Sequence, residues 1–258
     1  MQNEDFYYMS RPELKAAAKD RLRQKGVWAK MAVATIIPLA ATLFLFTTLF
    51  LTSLAMTDTS TSTMSFNELY TQAMNSSADT QRKEILVNLV SIFFTTGLSF
   101  TALDLIRNRS KKISVGSIML KCFNSRYFWM VLAVDIMTYV AVQFGTMLFI
   151  IPGILLQFGL SMSYLVLYDS REHQQAGQRR LDIFGVLAES YRMMRGHKFD
   201  LFVLQLSFIG WFLLCGFTFG LAYLWVGPYY ELTFAGFYEQ VRLRYADKQK
   251  QMHDDGAL

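Results

Sequence analysis

The apolar residues of this 258-residue chain fall into six blocks, and nearly all its Lys and Arg residues fall between alternate blocks. A bilayer core is about 30 Å thick and a helix rises about 1.5 Å per residue, so one crossing takes roughly 20 apolar residues. Met31 to Met56 and Ile85 to Ile106 each meet that length, and the blocks Tyr127 to Tyr168 and Phe199 to Tyr238 are each long enough for two crossings. The expectation is therefore an all-α polytopic membrane bundle with six transmembrane helices, at about 31–56, 85–106, 127–145, 147–168, 199–216 and 219–238.

The basic residues give this arrangement a direction, because cytoplasmic flanks accumulate Lys and Arg whatever their acidic neighbours. Six spans put both termini on one side together with 23 of the 25 basic residues, leaving only Arg82 and Lys83 outside. Five spans would strand Arg242, Arg244, Lys248 and Lys250 on the outer face. The reading is a multi-pass protein of the cell membrane with both termini cytoplasmic. It has one integral membrane domain over 1–245 and a polar cytoplasmic tail over 246–258.

With 53% hydrophobic and 17% charged residues, the composition excludes an ordinary soluble domain. The net charge of +5 suits basic loops held near anionic headgroups, so membrane lipids are expected partners. Nucleic acid is not expected, because the charge is divided among loops with no aromatic stacking pattern. Cys122 and Cys215 read as small apolar residues rather than a disulfide. No cleavable signal peptide is expected: a long polar segment comes first, the first apolar block is too long for a signal core, and no small-x-small site follows.

Ser10-Arg11-Pro12-Glu13 reads as a capping box, and Leu14, Ala17, Ala18 and Leu22 then share one helical face, as in a helix lying along the inner headgroups. Gly26 should end that helix. Similar spacing follows Ser114 (Val115, Ile118, Met119, Cys122, Phe123) and Asp182 (Ile183, Phe184, Leu187, Tyr191, Met194). Three units are expected, each a cytoplasmic interfacial amphipathic helix followed by a transmembrane hairpin. In the last two hairpins Gly145 and Gly220 should mark the outer turns, with Pro152 and Pro228 kinking the returning helices. A discontinuous helix lining a site is the sharper reading of those prolines. Between the first two spans, Thr57 to Glu84 reads as an extramembrane loop that stays mobile. Its Asn75-Ser76-Ser77 matches a glycosylation sequon but is assigned no role. Trp28, Trp129, Trp211 and Trp225 read mainly as interfacial anchors.

Ionisable groups inside spans are the functional candidates, since placing one in hydrocarbon costs about 2.5–3.5 kcal/mol even on insertion scales. Asp135 and Glu231 lie at similar depths from the inner face, and no Lys or Arg lies within the spans to neutralise them. Gln143, Gln157, Gln205 and the Tyr229-Tyr230 pair are candidates to bond them. Two readings stand: a proton or cation site between hairpins, and a polar clamp that fixes helices together. There is no HExxH, paired CxxC, phosphate loop or Gly-x-Ser-x-Gly elbow, and His173, His197 and His253 are scattered, so no metal, cofactor or enzyme activity is expected.

The carboxyl-terminal half carries Met194-Arg195-Gly196-His197-Lys198, Ser207-Phe-Ile-Gly-Trp211, Gly227-Pro228-Tyr229-Tyr230 and Phe237-Tyr238-Glu239. Earlier come Leu14-Lys15-Ala16 with Lys19 and Trp28, and Ile151-Pro152-Gly153 with Tyr168-Asp169. In these motifs the chain resembles a bacterial integral membrane family known as domain of unknown function 975. It is distantly similar to the membrane region that precedes the catalytic domain in some glycerophosphodiester phosphodiesterases. The resemblance implies a multi-span helical protein and brings no catalytic residues. The leading expectation is a non-enzymatic membrane component that binds a partner protein or lipid. The alternative is a small transporter or lipid-handling protein using Asp135 and Glu231.

Overall fold

A computed structural model describes residues 9–58, 65–107, 113–172 and 181–255. Among the described residues the regular structure is helical, with no strand. The helices are α1 (Arg11–Leu22), α2 (Val27–Asp58), α3 (Phe66–Arg107), α4 (Val115–Leu120), α5 (Ser125–Leu148), α6 (Ile150–Leu160), α7 (Ser163–Glu172), α8 (Ile183–Met193), α9 (Lys198–Leu206), α10 (Ile209–Phe217) and α11 (Tyr223–Asp255).

Five segments are long and apolar enough to cross a membrane: Val27–Leu51, Arg82–Arg107, Tyr127–Leu148, Ile150–Glu172 and Lys198–Phe217. The sixth apolar block lies in α11, which is not among them. Its Gly227, Pro228, Tyr229, Tyr230 and Glu231 lower the hydropathy. The structure also explains why such residues are tolerated: α11 packs on α1, α2, α3, α8 and α10, and thirteen of its fifteen residues from Gly227 to Val241 are buried. A helix covered by protein need not be apolar on every face.

The short helices expected before the odd-numbered spans are present as α1, α4 and α8. Each has a local start signal. Glu13 reaches back to accept from the Ser10 backbone N–H at 2.6 Å, Ser114 accepts from Ser117 N–H at 3.1 Å, and Asp182 accepts from Gly185 N–H at 3.0 Å. The bonds from Ser10 hold the Glu13 carboxyl below the usual carboxylate range. Gly26 and Gly196 adopt left-handed backbone, with φ of 78° and 94°, in the steps after α1 and α8.

The surroundings of these helices differ from a headgroup-facing layout. The apolar stripe of α1 is turned into protein: Leu14 and Ala18 are buried and α1 packs chiefly on α11. Burying the stripe against protein satisfies the same hydrophobic demand as lying on lipid. Similarly, α4 sits against α2 and α3, where the Gly97 backbone approaches the Ile118 carbonyl.

Three other differences concern turns and loops. The chain reverses at Phe149 rather than at Gly145; Gly145 lies inside α5 and faces Gly153 of α6 across a contact too close for side chains. Pro152 consequently falls in the first turn of α6, where a missing N–H breaks no helical bond. Gly220 does lie in a turn, between α10 and α11, with φ of 87°. Pro228 lies inside the unbroken α11, and Pro38 lies inside α2. Finally, α3 begins at Phe66, so the stretch from there to Glu84, including Asn75, is helical instead of a mobile loop. Its Glu, Gln, Ala, Met and Leu residues are good helix formers. Residues 59–64 of that loop lie outside the described residues. The tail is likewise helical to Asp255.

A Cβ at Gly97 would stand 2.5 Å from the Ile118 carbonyl oxygen, a backbone atom that cannot swing aside. Cys122 follows α4, and burial pushes its thiol up to about 12. Gly97→Ala should destabilise the protein by about 1–3 kcal/mol. It should also speed maleimide labelling of Cys122 in micelles, measured against the wild type. Unchanged labelling and melting would show that α4 is not seated on Gly97.

Candidate functional site

The strongest concentration of buried charge lies where α3, α7 and α11 meet. Arg107 ends α3, and its guanidinium takes two carboxylates at once. Nη1 and Nη2 donate to the two oxygens of Asp169 from α7, the Nη2 bond measuring 2.8 Å. Nη2 and Nε also donate to Glu239 Oε2 of α11, at 2.7 and 2.9 Å. Arg242 closes the group, donating to Glu239 Oε1 at 2.5 Å, and Tyr238 donates to Asp169 Oδ2 at 2.7 Å. Two arginines balance two carboxylates.

Burial decides how much this arrangement matters. The Glu239 side chain is 0% exposed and that of Arg107 11%. A planar guanidinium with five donors is the one side chain that holds two carboxylates in fixed directions. For Arg242, desolvation acts to lower the pKa, but the hydrogen bond and charge of Glu239 outweigh it and hold the group above the ordinary arginine value.

A second knot lies one turn away along α3. Lys121, between α4 and α5, pairs with Asp104 at 2.6 Å, and Tyr168 of α7 donates to both Asp104 oxygens at 3.0 and 2.9 Å. The Tyr168 ring stacks on Phe100 with centroids 4.5 Å apart, while Lys121 lies 4.6 Å above its face. Tyr127 of α5 donates to Glu172 at the end of α7. Together these bonds join α3, α5, α7 and α11, with the α4–α5 connection.

The residues singled out from sequence are placed apart from one another. Tyr164 of α7 donates to Asp135 at 2.7 Å, whereas Ser99 of α3 donates to Glu231 at 2.5 Å. The two carboxylates are thus held from different helices. Gln205 donates to Tyr230, beside Glu231, at 3.3 Å. Gln143 and Gln157 are exposed on α5 and α6 and do not complete a polar site with the carboxylates, because those positions face outward in the hairpin. Among the described residues, no group of three His, Cys, Asp or Glu side chains is arranged to hold a metal.

Register ties the two kinds of contact together. Ser99 and Arg107 are eight residues apart on α3, as are Glu231 and Glu239 on α11, so the helices run parallel in step over about 12 Å. In the sequence Arg107 stands as an ordinary basic flank of an apolar block, with its partners 62 and 132 residues away. The motif residues Tyr168-Asp169 and Phe237-Tyr238-Glu239 were the available signal, since each places a carboxylate beside an aromatic ring at the end of an apolar block.

Residues 147–245 match the model of a family described as a protein of unknown function (DUF975). The matched stretch includes Asp169, Glu231, Glu239 and Arg242. No curated protein and no solved structure matches the chain.

Tyr168→Phe keeps the ring on Phe100 but removes the donor to Asp104. It should cost about 1–3 kcal/mol in denaturant unfolding in micelles, the range for leaving a buried acceptor short of a partner. A change below about 0.5 kcal/mol would mean that the Asp104 knot does not hold these helices.

Proposed function

We propose that this chain is a non-enzymatic component of the cell membrane, with six spans and both termini cytoplasmic, that binds anionic lipid or a partner membrane protein at its basic face. The observation that carries the reading is how its charges are distributed. The buried carboxylates of Asp104, Glu231 and Glu239 and the partly buried one of Asp169 each meet a donor from another helix, as clamps do. Basic residues Arg23, Lys25, Lys30, Arg192 and Arg195 instead lie exposed around the two glycine steps. Exposed basic residues beside membrane segments attract anionic headgroups by about 1 kcal/mol each.

The sixth span is assigned to the first half of α11, which returns the chain to the side where α3 ends. The bacterial origin implied by the motif resemblance belongs to the same proposal. A transport reading rests on Glu231, a buried carboxylate between two helices with one hydroxyl donor. The clamp reading accounts for the same contact without requiring movement.

Native mass spectrometry of the protein extracted with its surrounding membrane in polymer nanodiscs tests the proposal. A stoichiometric protein partner or a retained anionic lipid class is expected, and Asp135→Asn with Glu231→Gln should leave that association intact. Proton- or cation-coupled flux in proteoliposomes that disappears in the same double variant would overturn the proposal in favour of transport.

A further inference from the structure

The strap formed by α1 carries two lysines whose surroundings call for an anion. Lys15 Nζ donates to the Ser207 carbonyl at 3.1 Å, where α9 breaks before α10, and lies 4.3 Å from the centroid of the buried Phe208 ring. Lys19, one turn along α1, places its ammonium 5.5 Å from the Tyr229 ring centroid. Phe208 and Tyr229 are themselves in contact, with centroids 5.1 Å apart, so the two cations stand over one aromatic floor.

What this group has is partial negative charge, from ring faces and one carbonyl oxygen. Among the described residues the contacts of the two lysines are with that carbonyl and those rings, and the charge that acts on Lys15 is the like charge of Lys19. Desolvation and that repulsion both hold the Lys15 ammonium below its ordinary value. Like charges at i and i+4 repel on a helix, and a shared anion removes the repulsion. Lysine is a point-charge partner for phosphate.

The rim identifies the kind of anion. Ile209, Trp211 and Phe212 of α10 are exposed beside the floor, and Trp211 meets Tyr229 with centroids 6.3 Å apart. Cationic groups adjoining an exposed aromatic and aliphatic surface suit a ligand with a phosphate head and hydrocarbon chains.

We propose that Lys15 and Lys19, over Phe208 and Tyr229 at the α9–α10 break, form a site for the headgroup phosphate of an anionic phospholipid, whose chains lie along Trp211 and Phe212. This rests on the reading that the basic face meets lipid. It narrows that reading to one site and one ligand class. The lipid supplies a counter-charge to the two lysines, and in doing so fastens α1 to the membrane domain.

The test uses the full chain, delipidated in mild detergent and then offered phosphatidylglycerol or phosphatidylcholine, with bound lipid counted by native mass spectrometry. Wild type should retain one phosphatidylglycerol in preference to phosphatidylcholine. K15Q/K19Q should lower that retention by about tenfold or more, given two lost cations. K15R/K19R should restore it, which separates loss of charge from loss of fold. K248Q/K250Q, in the exposed carboxyl-terminal tail, should leave it unchanged. If both glutamine pairs weaken retention equally, the general lipid reading survives and this site is wrong. If wild type shows no preference between the lipids, lipid binding itself fails. Displacement of the lipid by inorganic phosphate at matched ionic strength would assign the site to free phosphate and overturn the proposal.

Discussion

The alignment of α3, α7 and α11 depends on the double grip of Arg107. A single guanidinium at the end of α3 holds Asp169 on α7 and Glu239 on α11. Burying any one of these charges alone would carry a penalty of several kcal/mol, and together they offset one another through short, directional bonds. The balance is local: Arg242 takes the remaining Glu239 oxygen and Tyr238 adds a second bond to Asp169 Oδ2, so no member can move without breaking a bond to another. Such a group specifies one alignment of three helices, where apolar contacts alone would allow sliding.

That alignment makes α11 the axis of the bundle. It is fixed at its midpoint by Glu239 and about two turns earlier by the Ser99 contact to Glu231, both in one register with α3. The other neighbours are α1, α2, α8 and α10. Enclosure by protein lets α11 carry Gly, Pro, Tyr and Glu where a lipid-facing helix would carry Leu and Phe. Hydropathy therefore marks five segments and passes over this one.

Much of the scaffold was legible from sequence because it is governed by local chemistry. The cap at Ser10, the helix starts after Ser114 and Asp182 and the glycine turns at 26 and 220 each depend on residues within one turn. The turn at Phe149 was misplaced because Gly145 and Gly153 serve close approach between helices instead of a reversal, and both uses leave the same residue in the sequence. The mobile-loop reading of 66–84 failed because polar residues that form good helices look like loop when only hydropathy is weighed. The clamp was hidden for a different reason. Arg107 lies 62 residues from Asp169 and 132 from Glu239, and each stands at a block edge where charge ordinarily means solvent. Asp135 and Glu231 drew attention by depth alone, and the structure assigns them separate partners.

A double-mutant cycle on Arg107 and Glu239 tests the central claim, comparing Arg107→Gln, Glu239→Gln and the double variant by reversible unfolding in one detergent. The account predicts that the single variants lose about 3–5 kcal/mol and that the double variant loses less than their sum, with a coupling above about 1.5 kcal/mol. Additive losses, or single variants within about 0.5 kcal/mol of wild type, would contradict it and would mean that the bundle is aligned by its apolar contacts alone.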